Sequence, residues 1–295
     1  MVANEGRAGG RRTLRRTVGA VAGGVLTLVV LAGCSVDEIF AFGWPQGGLT
    51  PQSEQMFNLW IGSTIAALAV GFFTWALIFW CIIRYRKRGQ ELPPQTRYNL
   101  PIEIVYTVAP FLVVSVLFYY TAVVQTDVVR LGNADLTVAV QASKWNWTFS
   151  YPETEGADGQ PVATTGDSDY IPVLVVPTDT RIEFVLHASD VIHSFWVPDM
   201  LFKRDVFPGS VVNRFETTIL EPGAYVGRCA ELCGTYHSMM NFEMRAVSPE
   251  EFDRFLAAKQ DGASTPQALE SIGQEPYATT TTPIPTRREA PDATN

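Results

Sequence analysis

The first half of the chain is dominated by long apolar stretches, and two of them contain no charged residue at all, at 57–83 and 104–124. A transmembrane helix requires about 20 predominantly apolar residues. The pattern therefore predicts two spans, at about 57–83 and 102–124, which together form a hairpin. Pro110 lies inside the second span, where a membrane helix tolerates it as a kink.

From Leu136 onward, apolar and polar residues alternate instead. "LTVAVQASKWNWTFSY" and "RIEFVLHAS" have the period of half-buried strands, "IPVLVVP" is a short apolar run, and turn signals such as "FPGS" separate them. These short strands predict a small all-β sandwich. Ser248 to Gln260 is typical of a capped amphipathic helix, with Ser248 as N-cap and Glu250 and Glu251 in the first turn. We therefore place one domain at 131–260.

Two polar segments flank these strands. "ETEGADGQPVATTGDSD", at 153–169, predicts an inserted surface loop. Residues 261–295 are rich in Ser, Thr, Pro and charge, and they offer too little apolar surface to order themselves. We predict that this last segment is a disordered tail.

The N-terminus has the features of an export signal. Basic residues precede an apolar run from Val18 to Leu31, and "LAGC" ends at Cys34. This arrangement resembles a bacterial lipoprotein signal, so 1–33 would be removed and Cys34 lipidated. The alternative is an ordinary first transmembrane helix, for which the apolar run is short. The segment at 34–130 then carries the hairpin.

Charge orients the hairpin. The loop between the spans holds five basic residues, Arg84, Arg86, Lys87, Arg88 and Arg97. By the positive-inside rule this loop is cytoplasmic, which places Cys34 and the β domain on the outer face. The segment at 125–295 has 12 Lys+Arg and 24 Asp+Glu, a net of 12 − 24 = −12. That charge argues against nucleic acid and favours a basic partner, although solubility alone explains it equally well.

The candidate chemistry is concentrated in "CAELCGTYHSMM", residues 229–240. Cys229 and Cys233 stand in a C-x₃-C spacing, and His237 and Met240 follow. Thiolate, imidazole and thioether donors together select copper. A disulfide, the usual state of two cysteines in an exported domain, and a zinc site are the alternatives.

Two cysteines exceed what a mononuclear blue-copper site needs. Two thiolates can instead bridge two copper ions, and each ion then needs one histidine and one weaker donor. The chain has three histidines, so the second imidazole comes from His193 or His187. His193, in "DVIHSFWVP", follows a strand, whereas His187 lies within a strand and is expected to be satisfied on the sheet face.

These motifs resemble one known family. "CAELCGTYHSMM" matches C-x-E-x-C-G-x-x-H-x-x-M of subunit II of haem-copper cytochrome c oxidases, and "DVIHSFWVP" matches that family's upstream histidine motif. The resemblance covers about 55–258 and implies a membrane-anchored, cupredoxin-like β-sandwich or barrel that carries the dinuclear copper centre CuA. The implied copper ligands are Cys229, Cys233, His193, His237, Met240 and the backbone carbonyl of Glu231. Only spacing selects Met240 over Met239.

Three further roles are implied by the resemblance. The Glu231 carboxylate would help to bind magnesium at the interface with the catalytic subunit, and its alternative is a solvated surface acid. Trp145, in "KWNWTFSY", would be the electron entry point, and strand alternation places it on one face with Trp147, for which core packing is the stronger expectation. Glu103 would stand at the mouth of a proton path, or simply stabilise a helix N-terminus.

The implied function is that of the electron-accepting relay subunit of a cytochrome c oxidase in the bacterial cell membrane. Its partners would be catalytic subunit I, subunit III and a cytochrome c or membrane-bound c-type cytochrome, and haems would belong to partner subunits only. The alternative is a membrane-tethered copper carrier lipoprotein. A carrier needs only a tether, so the two spans and Glu103 argue against it.

Overall fold

The computed structural model describes residues 39–44, 47–87, 89 and 94–281. The predicted signal segment 1–33, with Cys34, and the end of the predicted tail at 282–295 lie outside the described residues. The first described segment, 39–44, consists of a short helical stretch and a turn. The remainder of the described chain contains two long helices followed by a β domain.

The two helices are α1, Pro51–Arg84, and α2, Leu100–Val128. Both are long and apolar enough to cross a membrane. Thr50 caps α1 through a capping box with Ser53, and Asn99 caps α2 by accepting from the Ile102 amide. Most of their large apolar side chains are exposed to the surroundings, as expected for helices whose solvent is lipid. The predicted pair of spans agrees with these helices, which extend a few residues beyond the predicted limits.

The β domain consists of ten strands in two five-stranded sheets. The first sheet has the order β3-β2-β1-β5-β8 and the second the order β4-β10-β9-β6-β7. The strands are β1 Leu136–Ser143, β2 Asn146–Glu155, β3 Pro161–Thr165, β4 Val173–Pro177, β5 Arg181–Ala188, β6 His193–Val197, β7 Phe202–Val206, β8 Asn213–Thr218, β9 Gly223–Cys229 and β10 Asn241–Val247.

The sandwich follows from the alternation in the sequence. In β1 and β5 every second residue is buried, and the two strands pair in parallel, with Val138 opposite Phe184. All five residues of β4 are buried, as the continuous apolar run predicts. The inward-facing side chains form one core that includes Phe149, Phe195 and Phe242. The all-β sandwich prediction is confirmed.

The predicted insertion at 153–169 differs from the structure. Strand β2 continues to Glu155 and pairs with β3 in an antiparallel hairpin, so part of the segment extends the first sheet, and only 156–160 and 166–169 lie outside the strands. Val162 and Thr164 are buried. The polar composition hid this pairing because an edge hairpin needs only one inward-facing side chain in two.

The segment predicted as a tail is ordered at its start. After helix α3, Pro249–Gln260, with the predicted Ser248 capping box, a second helix α4 covers Thr265–Ser271. Ala268, Leu269 and Ile272 are buried in the core. The prediction of disorder from 261 is therefore wrong for the described residues to 281, because these three apolar side chains find a place against the sandwich.

The chain from 274 to 281 runs across β10, where it is held by a buried ion pair. Glu243 accepts from the backbone amides of Thr279 at 2.6 Å and Thr280 at 2.8 Å. Arg245 pairs with Glu243 and donates to the carbonyl of Tyr277. Burial raises the pKa of Glu243, but the hydrogen bonds from Thr280 and Arg245 outweigh that effect and lower it. We call this segment the C-terminal strap.

The β domain is attached to the helices through strand β8 and through Leu220, two residues after that strand. The Leu220 amide donates to the Leu49 carbonyl just before α1, at 2.9 Å, and the Thr217 hydroxyl donates to Gln52 Oε1 in the first turn of α1, also at 2.9 Å. After α2, the Gly132 amide donates to the Glu216 carboxylate at 2.8 Å. Both ends of the hairpin therefore meet the same edge of the first sheet.

Candidate metal centre

The ligand loop joins β9 to β10 at one end of the sandwich. Cys229 is the last residue of β9, and Gly234, with φ of +121°, turns the chain after Cys233. Both thiols are free and buried, and their Sγ atoms lie 3.9 Å apart. A disulfide requires about 2.05 Å. The two sulfurs are thus separate donors that face a common space.

Each thiol faces one imidazole. His193 opens β6, is fully buried, and places Nδ1 3.8 Å from Cys229 Sγ. His237, in a one-turn 3₁₀ helix, places Nδ1 3.6 Å from Cys233 Sγ. The pairing of β6 with β9 brings the first contact about, because Phe195 stands opposite Cys229. The structure therefore brings His193 into the cluster.

His187 lies elsewhere. Its Nδ1 is 3.2 Å from Gln141 Oε1 and its Nε2 is 3.2 Å from the Gly209 carbonyl. Both ring nitrogens thus have polar neighbours on the face of the first sheet, which is the satisfied arrangement expected from its position within a strand.

Two weaker donors complete the set. Met240 is fully buried, and its Sδ lies 3.8 Å from Cys233 Sγ, whereas Met239 is partly exposed. The Glu231 carbonyl lies 3.3 Å from Cys229 Sγ, and the rest of that residue is exposed. Of the two neighbouring methionines, the structure turns Met240 toward the thiols.

The indoles of both tryptophans reach the ligand loop, although only Trp147 lies in a strand. Trp145 lies in the turn between β1 and β2, and its indole N–H donates to the Cys233 carbonyl at 3.3 Å. Trp147 lies in β2, is fully buried, and donates to the Met240 carbonyl at 3.2 Å. Strand alternation therefore does not determine the orientation of Trp145, which belongs to the two-residue turn between β1 and β2.

Asp190 is a further residue in direct contact with a candidate ligand, His193. Its Oδ1 lies 2.9 Å from His193 Nε2, and its carboxylate also accepts from the Lys144 and Val191 amides, each at 2.7 Å. A carboxylate on the second ring nitrogen fixes the tautomer that leaves Nδ1 free to bind metal. The spacing D-x-x-H was the available signal.

These contacts set the charge of the cluster. Burial would raise the pKa of the Cys229 thiol, but hydrogen bonds from His193 and the backbone lower it to about 7. Burial, together with the charge of Cys229, raises the pKa of Cys233 to about 12. One thiolate therefore forms readily and suppresses ionisation of the other in the absence of a cation, so the pair favours a positively charged ligand.

The donor set fits copper. His193, Cys229 and Cys233 place their ligand atoms within 4.8 Å of one another, and His237 and Met240 add an imidazole and a thioether beside Cys233. Structural zinc sites use four Cys or His ligands without methionine. Two thiolates between two imidazoles, each with a weak donor nearby, match soft copper ligation.

The remaining predicted site residue, Glu103, lies in the first turn of α2. Its Oε1 accepts from the Asn99 amide at 2.9 Å, which satisfies one of the free N–H groups at the helix start. The structure therefore assigns it at least the capping role that the sequence offered as the alternative.

A family model described as "Cytochrome C oxidase subunit II, periplasmic domain" matches residues 136–247. A Nocardia farcinica protein named "Probable cytochrome c oxidase subunit 2" is 43% identical, over 96% of this chain and 91% of its own. "Cytochrome c oxidase subunit 2" of Mycobacterium tuberculosis is 41% identical, over 96% and 92%. The protein of the same name from Corynebacterium glutamicum is 38% identical, over 95% and 96%.

Among solved structures, the periplasmic domain of subunit II of cytochrome oxidase from Bradyrhizobium japonicum is 26% identical. It matches 45% of this chain and 99% of its own, with a TM-score of 0.40.

Proposed function

The chain belongs to the cytochrome c oxidase subunit II family, and on that premise we propose that it is the electron-accepting subunit of a respiratory oxidase. It would take electrons from a cytochrome c or a membrane-bound c-type haem domain and pass them to the haem-copper catalytic subunit, which reduces oxygen and translocates protons. One observation carries the proposal, namely two free thiols 3.9 Å apart, each facing an imidazole nitrogen.

The cofactor of this proposal is a dinuclear copper centre. Cys229 and Cys233 would bridge the ions, His193 and His237 would each bind one of them, and Met240 and the Glu231 carbonyl would be the weak donors. Copper held in this way gains or loses one electron with little change in its bonds. The haems would be held by partner subunits.

The protein's own contribution is to keep these donors in place. Asp190 orients the His193 ring, and the Trp147 indole holds the Met240 backbone. His193 and Trp147 both lie in strands of the sandwich, so we expect the donors to move little when the charge on the site changes. A fixed donor set is what rapid electron exchange requires.

Electron entry is proposed at Trp145. Its ring is partly exposed, and its N–H contacts the Cys233 carbonyl. From that carbonyl, covalent bonds lead through Cα and Cβ to the bridging sulfur. An incoming haem domain would therefore approach this side of the loop, attracted by the net charge of −12 over 125–295.

Two carboxylates are assigned to the contact with the catalytic subunit. The exposed Glu231 side chain would help to bind magnesium at that interface. Glu103, at the cytoplasmic end of α2, would stand at the entrance of a proton path, since an ionisable side chain near a membrane span is a functional candidate. Subunit III would complete the complex.

The membrane arrangement follows from the two apolar helices. We propose that α1 and α2 cross the cell membrane with the basic loop inside, and that the copper domain lies on the outer face. Cys34 would carry a lipid anchor after removal of residues 1–33.

Metal analysis of the complex purified in mild detergent tests the proposal. We expect two copper ions per chain and the absorption of a mixed-valence copper pair. One copper per chain would favour the copper carrier, zinc would favour a structural site, and a Cys229–Cys233 disulfide without metal would contradict all three metal hypotheses.

A further inference from the structure

Two aromatic rings meet where the ligand loop reaches the surface. Trp145, in the turn between β1 and β2, and Tyr236, directly before His237, have ring centroids 4.8 Å apart at an interplanar angle of 85°. This is an edge-to-face pair. Both residues are accessible, with Tyr236 37% exposed and Trp145 partly so.

The Trp145 indole rests on three groups of the ligand loop, which we call the indole seat. They are the Cys233 carbonyl, which accepts from the indole N–H, the backbone of Gly234, and the Tyr236 ring. A Cβ at Gly234 would lie 3.2 Å from the indole Cζ2 and 3.3 Å from Nε1. Glycine therefore allows the loop backbone to approach the ring directly.

We propose that Tyr236 is a positioning residue for electron entry, which holds the Trp145 indole so that its N–H stays on the Cys233 carbonyl. The inference rests on the proposed function of Trp145. The indole comes from the first sheet and the carbonyl from the loop of the second, and the hydrogen bond is partly open to water. Such a neutral bond has little net stability by itself, so the aromatic contact determines how often it is formed.

The electron balance of the step is simple. One electron leaves the ferrous haem of the donor, which becomes ferric, and the oxidised copper pair is reduced by one electron. No covalent bond is made or broken, and no proton is transferred. The seat changes only the coupling between Trp145 and the bridging cysteine, so the potential and the spectrum of the site are expected to be independent of Tyr236.

The test uses two substitutions of Tyr236. Tyr236→Leu removes the ring and keeps apolar bulk, and Tyr236→Phe keeps the ring. Tyr277→Leu is the matched control, because it removes another edge-to-face pair, with Tyr170 at 6.2 Å, in the C-terminal strap. In the purified complex, stopped-flow reduction by a c-type cytochrome is measured as a function of cytochrome concentration. In the copper-free full chain, hydroxyl-radical labelling of Trp145 is measured by mass spectrometry.

We expect Tyr236→Leu to lower the saturating rate of reduction by about three- to tenfold and to raise Trp145 labelling by a similar factor, the size that loss of one aromatic pair implies. Tyr236→Phe and Tyr277→Leu should match the parent in both measurements. Parental behaviour of Tyr236→Leu would overturn the proposal, as would an equal effect of Tyr236→Phe.

A rise only in the cytochrome concentration for half-saturation would also overturn it, because Tyr236 would then be a docking residue. Failure of the underlying function is recognised separately, since the parent complex would then lack two copper ions per chain.

Discussion

The ligand loop has a buried side and an exposed side, and each side is held by a tryptophan. Trp147 and Trp145 are two residues apart, and each donates its indole N–H to the carbonyl of a candidate ligand residue, Met240 and Cys233 respectively. Trp147 is fully buried between the sheets, beside Phe149 and other core rings. Trp145 is partly exposed, and its ring forms an edge-to-face pair with Tyr236 of the ligand loop.

The same type of hydrogen bond therefore has two roles, because its surroundings differ on the two sides. On the buried side it fixes a donor in a close-packed core, where movement is costly. On the exposed side it joins the metal site to a surface ring that a partner can reach. We therefore expect changes on the buried side to alter the stability and the reduction potential of the site. Changes on the exposed side should alter the rate at which an electron donor reduces it.

The largest effect is expected from the cysteines that both sides share. Cys229→Ser should abolish the copper pair, because a hydroxyl does not ionise near neutral pH and is a hard donor. Copper per chain and the mixed-valence absorption are the measurements. Cys81→Ser, in α1, is the control and should retain both coppers. An unchanged two-copper spectrum in Cys229→Ser would contradict the bridging role.

On the buried side, Trp147→Phe should lower the free energy of unfolding of the β domain by about 1–3 kcal/mol, since the Met240 carbonyl keeps the Cys229 amide but loses the indole N–H, and the smaller ring leaves space. Denaturant unfolding followed by far-UV circular dichroism measures it. Thr148→Ala, at a partly buried neighbouring position of β2, should lower the free energy of unfolding by less. Equal costs would show that the Trp147 hydrogen bond is not important for stability.

A smaller change on the same side is Met240→Leu. We expect both coppers to remain and the reduction potential to rise, because loss of a thioether donor destabilises the more highly charged oxidised form. Redox titration of the copper absorption gives the potential. Met239→Leu serves as the control at the neighbouring position. If that variant shifts the potential and Met240→Leu does not, the two methionines have been assigned the wrong way round.

The smallest effect on the site itself is expected from Trp145→Phe. The spectrum, potential and unfolding free energy should stay close to parental values, while reduction by the cytochrome slows, since the N–H contact with Cys233 is lost. Stopped-flow rates decide the matter. Reduction at the parental rate would show that Trp145 is not on the electron path. The exposed tryptophan would then have no role that distinguishes it from the buried one.

Much of this arrangement is present in local sequence. The two uncharged runs predicted the helices, alternation predicted the sandwich, and the Ser248 capping box predicted α3. Cys229, Cys233 and His237 lie in one short loop. Their spacing therefore predicts these candidate ligands without knowledge of any long-range contact.

The features that the sequence does not predict depend on contacts between distant segments. The strap is ordered because the buried ion pair of Glu243 and Arg245, in β10, needs further partners. The Thr279 and Thr280 amides donate to Glu243, and the Glu275 and Tyr277 carbonyls accept from Arg245. The composition around Thr279 contains no sign of this. Similarly, the hydrogen bond between Asp190 and His193 depends on where β6 places the imidazole ring.

Attachment of the hairpin to one sheet edge has a consequence for encounters. The chain entering α1 and the chain leaving α2 are both bonded to the region of Glu216 to Leu220. A domain attached at two nearby points on one strand does not pivot freely, so in the proposed membrane arrangement the ligand loop would keep a set height and tilt above the bilayer. An electron donor confined to the same membrane would then reach it by lateral diffusion alone, in two dimensions.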